Sequence, residues 1–272
     1  MSEFLVAVMP VADLRVSPVA RAELNTQVRL GDLAEMLDRR AGRILVRLVR
    51  SGDTGWAAAA AFRRVRHAAR PRPVALVQSL FCNIHLAPSV RAPLLMTVPL
   101  SARLFRLGRV RINGGGAPWA KVALPGGRNA FALDGDLVAA GRGWPWRTSG
   151  QLRAGLVRES LRLLGLPYRW GGTTPFGLDC SGLVQLVYGL HGIALPHNAR
   201  RQAADPRMEP IARRSVQSGD LLFFAQFTHV GMAISDSAFV HATTWGQPGV
   251  QISRIDDPHW AKRRQQIGRL TG

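Results

Sequence analysis

The chain has 272 residues, 47% of them hydrophobic, which suits one large domain or two to three small ones. Its net charge of +19 comes almost wholly from arginine, Lys121 and Lys262 being the lysines, and the excess is spread as +5 over 1–70, +8 over 71–150 and +6 over 151–272. That distribution excludes a basic tail, no apolar run nears the ~20 residues of a membrane helix, and the two cysteines, Cys82 and Cys180, form neither a metal-binding spacing nor a disulfide framework.

Such a field attracts polyanions without choosing among them. Basic and aromatic residues are not interleaved as in RNA-binding modules, so no specific nucleic acid partner is expected. No metal or cofactor is expected either, and the oligomeric state is not legible. Residues 1–10 carry Glu3 in place of the basic stretch of a secretory signal, so a cytoplasmic location is expected.

In chain order, residues 1–67 predict short strands at 5–8, 33–37 and 44–49, a turn at 51–55 and then Trp56. Strands of this length with Gly-bearing turns suggest a small β-barrel. A Pro- and Arg-rich stretch at 66–73 reads as a linker. Residues 72–142 repeat the plan: a strand at 119–124 runs through Pro125-Gly126-Gly127 to Phe131, so both segments end in strand, Gly turn and aromatic. A second linker reads from Gly141 through Trp144, Pro145 and Trp146 to Gly150. Over 151–272 the pattern changes. Helical spacing at 152–164 and 180–190 precedes strand-like runs at 221–224, 230–234 and 239–242, an α+β order.

The densest chemistry lies between Tyr168 and Val184, where a Gly-rich loop enters Asp179-Cys180-Ser181 and an apolar helix. Asp179 suits a helix cap, which puts Cys180 in the first turn, where the helix N-terminus favours thiolate and is expected to lower the thiol pKa. For a lone cysteine the ordinary reading is a small core residue; the cap, the loop and the downstream histidines favour a nucleophile instead. A thiol nucleophile needs a base, and a base needs an orienting partner. Thr228-His229-Val230 opens one strand, and His241 lies on the next, so adjacent strands could set the rings side by side, with His229 toward the thiol. His191, His197 and His259 show no partner pattern, and Cys82 reads as a packed or half-exposed thiol.

These residues resemble the NlpC/P60 family of cysteine peptidases, a compact papain-like α+β fold. The likeness covers about 152–270 and rests on Tyr168-x-Trp170-Gly-Gly with Asp179-Cys180-Ser181-Gly182, on Gly219-Asp220-Leu221 with His229-Val230-Gly231, and on Val240-His241-Ala242. It implies Cys180 as nucleophile, His229 as base, His241 as the polar third member and Tyr168 as an oxyanion donor, with Asp179, Ser181 and Trp170 against the substrate peptide. The family's Leu-Pro-Arg-Asp reads Leu195-Pro196-His197-Asn198 here, with Gln202 retained. The first two segments resemble bacterial SH3-like domains, with Asp53 where a tyrosine is common. The whole pattern is similar to enzymes that release dipeptides from murein peptides at the γ-D-glutamyl-diamino acid bond. On that likeness the first SH3-like domain is expected to close the groove beside Asp179, with Asp53 and Asp179 meeting a peptide's terminal ammonium group. An amidase or acyltransferase on the same fold is the nearest alternative, and a non-catalytic module holding wall fragments is the more distant one.

Overall fold

The computed structural model describes residues 3–65, 74–111, 116–140 and 149–271. The linker expected at 66–73 lies outside the described residues, as do Trp144 and Trp146 of the second. Ser149 and Gly150, read as linker, instead open a helix. The chain divides into two compact units, Met1–Arg142 and Gly143–Gly272.

The first unit holds two seven-stranded antiparallel sheets with one plan. The first runs Leu24–Arg29, Val11–Arg15, Thr54–Ala58, Arg43–Leu48, Leu33–Arg40, Glu3–Ala7, Phe62–Arg64. The second runs Leu94–Pro99, Phe81–His85, Asn129–Leu133, Trp119–Ala123, Arg103–Val110, Val74–Val77, Leu137–Ala139, the same order strand for strand. Each fourth strand in sequence carries a register shift, between Met36 and Asp38 and between Arg106 and Gly108. Trp56 and Phe131 occupy the middle of matching strands, so the repeat is real. Alternation builds the cores: Ile44, Val46 and Leu48 point inward while Arg47 faces solvent.

The architecture is SH3-like, with a correction to the expected barrels. Among the described residues, hydrogen bonding leaves each sheet open, with Leu24–Arg29 and Phe62–Arg64 as the edges of the first. The final strands have only three residues and pair on one side, so they extend a sheet without closing it. The two sheets meet at a turn. Leu30 is buried among the core residues of the second sheet, and its carbonyl accepts the Arg103 amide at 2.8 Å. Gly31 has φ +79°, and a Cβ there would lie 2.3 Å from the Arg103 carbonyl oxygen, so only glycine fits this turn.

The second unit sets helices Ser149–Leu161, Cys180–Leu190, Ala199–Ala203 and Pro258–Arg263 with a six-stranded antiparallel sheet. The strand order is Met208–Pro210, Arg264–Leu270, Leu221–Phe224, His229–Ala233, Ala238–Thr243, Gly249–Arg254. Helix Cys180–Leu190 packs on His229–Ala233 and Ala238–Thr243, burying Leu183, Val184, Leu186, Val187 and Tyr188; each such side chain contributes about 1.5–3 kcal/mol. Asp220 is buried and held by Arg153 at 3.3 Å, by two Arg269 nitrogens at 2.9 Å and by the Gln217 amide at 2.7 Å. This ion-paired turn anchors strand Leu221–Phe224, which pairs with the strand that carries His229.

Candidate active site

Asp179 caps the helix as its residue type predicts: Oδ1 accepts the Gly182 amide at 2.7 Å and the Ser181 hydroxyl at 3.1 Å. Its other oxygen accepts the Gly171 amide at 2.9 Å, which ties the Gly-rich loop to the helix. The loop needs its glycines. Gly171 has φ +72°, and a Cβ on Gly182 would lie 2.0 Å from the Gly172 carbonyl oxygen. Their absence of side chains lets the loop close over the helix start.

Cys180 follows in the first turn, buried. Its sulfur lies 4.0 Å from the Thr228 carbonyl, and the amides of Val230 and Ser181 are turned toward it. The thiol therefore meets strand His229–Ala233 at the two residues that flank His229. The expected lowering of its pKa is not found. Burial, reinforced by the charge of Asp179, pushes it up to about 12, and the amides that favour thiolate do not overcome desolvation. The free site therefore rests as a neutral thiol.

His229 Nε2 and His241 Nδ1 are 2.8 Å apart, so the adjacent strands do bring the rings together. Burial lowers the His229 pKa to about 4; burial and then His229 lower that of His241 to about 2, so both rings are neutral near pH 7. With Nε2 of His229 engaged by His241, Nδ1 is the nitrogen left for a thiol. The far nitrogen of His241, Nε2, lies 3.0 Å from Ser253 Oγ. Trp260 stacks on His229 at 5.3 Å and 23°, and stands edge-on to His241 at 4.7 Å and 90°. It covers one face of His229, which is half-buried, and the edge of buried His241.

Tyr168 is half-buried, and burial, with Cys180 and Asp179 adding to it, raises its phenol pKa, so it stays an O–H donor. Ser181 is buried against Asp179, whereas Trp170 is 60% exposed. Asp53 lies in the first unit and is buried; its carbonyl accepts the Leu48 amide at 2.8 Å, which closes the turn before Trp56. Among the described residues no cluster of His, Cys, Asp or Glu is placed to hold a metal.

Three partners escaped the reading of the sequence. His197 has one: its Nε2 lies 2.9 and 3.0 Å from the two oxygens of Asp179, and that pairing with the amide bonds holds the carboxylate below its ordinary range despite burial. Half-buried His259 stacks on Trp245 at 3.6 Å. Trp260 had a partial signal, since Asp257 and Pro258 mark a helix start, but its ring contacts come from tertiary packing. Cys82 is fully buried in the second sheet, and both cysteines are free thiols.

The family model for NlpC/P60 matches residues 165–269, and the chain thus carries an NlpC/P60 domain, the domain of a family of cysteine peptidases. Dipeptidyl-peptidase 6 of Lysinibacillus sphaericus is 37% identical over 119 residues, covering 44% of this chain and 42% of that protein. A gamma-D-glutamyl-L-lysine dipeptidyl-peptidase of Bacillus cereus is 31% identical over 146 residues, covering 51% and 42%. Curated relatives are matched over 28% to 57% of their own length, so the chain spans about half of them or less. The crystal structure of an NlpC/P60 family protein from Bacillus cereus ATCC 10987 superposes with a TM-score of 0.84 at 22% identity, covering 98% of this chain and 99% of that one, a likeness of fold.

Proposed function

Taking residues 165–269 as an NlpC/P60 domain, we propose that the protein is a cysteine peptidase that hydrolyses murein peptides at the γ-D-glutamyl-diamino acid bond and releases L-Ala-D-Glu. Free peptides in the cytoplasm are the substrates this reading assigns. The observation that carries it is the joint placement of a buried first-turn thiol and a neutral imidazole pair, with the sulfur against Thr228 and Val230 and His229 between them.

In this mechanism Nδ1 of His229 takes the thiol proton as sulfur attacks the γ-carbonyl carbon. Because the resting thiol is held at about 12, transfer accompanies attack. The oxyanion is met by the backbone amide of the nucleophile's turn and by the Tyr168 hydroxyl. Protonated His229 then delivers its proton to the leaving amine of the diamino acid. Water, deprotonated by the same ring, hydrolyses the thioester and restores the thiol. His241 accepts from Nε2 of His229 and offsets the charge that forms there.

Asp179 is the group for a peptide's N-terminal ammonium, since a buried carboxylate kept ionised by His197 and two amides makes a strong charge-assisted acceptor. The similarity to two proteins named as dipeptidyl-peptidases supports this choice of bond. Mass spectrometry of products from L-Ala-γ-D-Glu-diamino acid tripeptides tests it. L-Ala-D-Glu and the free diamino acid are expected; release of L-Ala alone, or no cleavage of the tripeptide, would overturn this choice of bond.

A further inference from the structure

The proton inventory around His241 leaves one requirement unmet by the histidine pair. If Nδ1 of His229 is to receive a proton, Nε2 of that ring must already carry one, and it points at Nδ1 of His241, 2.8 Å away. Nδ1 of His241 is then an acceptor. A neutral imidazole with a bare Nδ1 carries its proton on Nε2, and that N–H needs an acceptor inside the protein. Ser253 Oγ sits there at 3.0 Å.

The surroundings leave little else to choose the tautomer. His241 has no exposed surface. Phe239 lies 4.7 Å away tilted at 46°, and Trp260 lies 4.7 Å away at 90°, so aromatic rings crowd the imidazole. Ser253 reaches Nε2 from the sheet's last strand, Gly249–Arg254, where it pairs with Phe239 while His241 pairs with Gln251. It is a diagonal neighbour on the same face. Ser253 itself is half-buried.

We propose that Ser253 is a positioning residue for the Cys180 reaction: by accepting from Nε2 of His241 it fixes that ring's tautomer, and through it keeps Nδ1 of His229 open to the thiol. The inverse arrangement is unproductive. A hydroxyl donating into Nε2 would put the His241 proton on Nδ1, force the His229 proton onto its own Nδ1 and block the base. No atom is transferred to or from Ser253. The proposal rests on the reading of His229 as the base.

The test compares Ser253→Ala, Ser253→Thr and His229→Ala with the parent protein. Three quantities are measured: the pH dependence of Cys180 alkylation by iodoacetamide, followed on the Cys180 peptide; kcat and KM on a murein tripeptide; and the 15N shifts of the His241 ring. Thermal melts verify that each variant is folded. Ser253→Ala should lower both alkylation at neutral pH and kcat about tenfold with KM unchanged, a smaller penalty than losing a direct triad orienter. Nε2–H should dominate for His241 in the parent and become a mixture in this variant, and Ser253→Thr, which keeps the hydroxyl, should restore rate and tautomer. Unchanged alkylation and tautomer in Ser253→Ala, with alkylation impaired in His229→Ala, would overturn the proposal and leave the base assignment standing. Alkylation insensitive to both variants would overturn both. If the tripeptide is not cleaved at all while alkylation still falls in Ser253→Ala, the substrate reading fails and the positioning role stands.

Discussion

The two cysteines lie in regions built on different principles. Cys82 sits in strand Phe81–His85, fully buried among the core residues of the second SH3-like sheet. Cys180 sits at the start of a helix, also buried. Burial is the leading cause that raises both thiols, with an aspartate adding to it in each case: Asp136 for Cys82, Asp179 for Cys180. Titration in the resting fold therefore does not separate Cys82 from the proposed nucleophile Cys180. What separates them is the set of groups around the sulfur: the Val230 and Ser181 amides turned toward it and the strand that carries His229. A buried thiol becomes useful when the groups that will stabilise its charged state are already in place and water is not.

The largest expected effect breaks the comparison outright. Cys180→Ala should lower tripeptide hydrolysis by roughly 1,000-fold or more, while Cys82→Ala should leave the rate within about twofold, since it lies in another unit's core. Initial rates with the two purified variants decide it. Next, His229→Ala should cost on the order of 100-fold to 10,000-fold in kcat, the range for a group that itself transfers a proton. His241→Ala should cost less, because that ring only orients and offsets charge. A steeper loss in His241→Ala would reverse the two roles.

A third expectation uses acid. His229 and His241 are held neutral in the fold, at about 4 and about 2, below the ordinary value of 6.5. Below about pH 6.5 the unfolded chain takes up protons that the folded chain refuses, so stability falls as pH drops toward the folded values. Between pH 7 and 5 each ring should cost on the order of 2 kcal/mol, read as a fall in urea midpoint. The carboxylate of Asp179 behaves otherwise. Its lowered pKa gives stability that is present above the unfolded carboxylate value and lost only as pH falls through the folded one. His229→Phe should flatten part of the loss between pH 7 and 5. The smallest effect concerns Cys82: Cys82→Ala should cost about 1 kcal/mol for the packing of one small buried group, seen in the same denaturation curves.

Much of the site was legible because it is local. Asp179, Cys180 and the glycines around them form one loop-to-helix unit whose cap, turn and close approach are properties of neighbouring residues. The pairing of His229 with His241 was legible as a possibility in two strand-like runs, with the histidines twelve residues apart, that could lie side by side. The repeat of the first two segments was visible in its Gly turns and in Trp56 and Phe131, although not that hydrogen bonding leaves both sheets open. What stayed hidden is long-range. His197 finds Asp179 only because the chain after helix Cys180–Leu190 folds back on the helix start. Trp260 covers the imidazoles from a six-residue helix beyond the last motif. The rise of the Cys180 pKa was missed because a helix N-terminus was weighed without the burial that competes with it.

The proposed mechanism requires Cys180 to form a thioester with the γ-D-glutamyl carbonyl. The direct measurement is acid quench of the protein during turnover of an L-Ala-γ-D-Glu-diamino acid tripeptide, followed by mass spectrometry of the proteolysed protein. An adduct with the mass of L-Ala-D-Glu less water should appear on the Cys180 peptide, decay after substrate is exhausted, and be absent from the Cys82 peptide. Turnover with no adduct on Cys180, or an adduct on Cys82, would contradict the account.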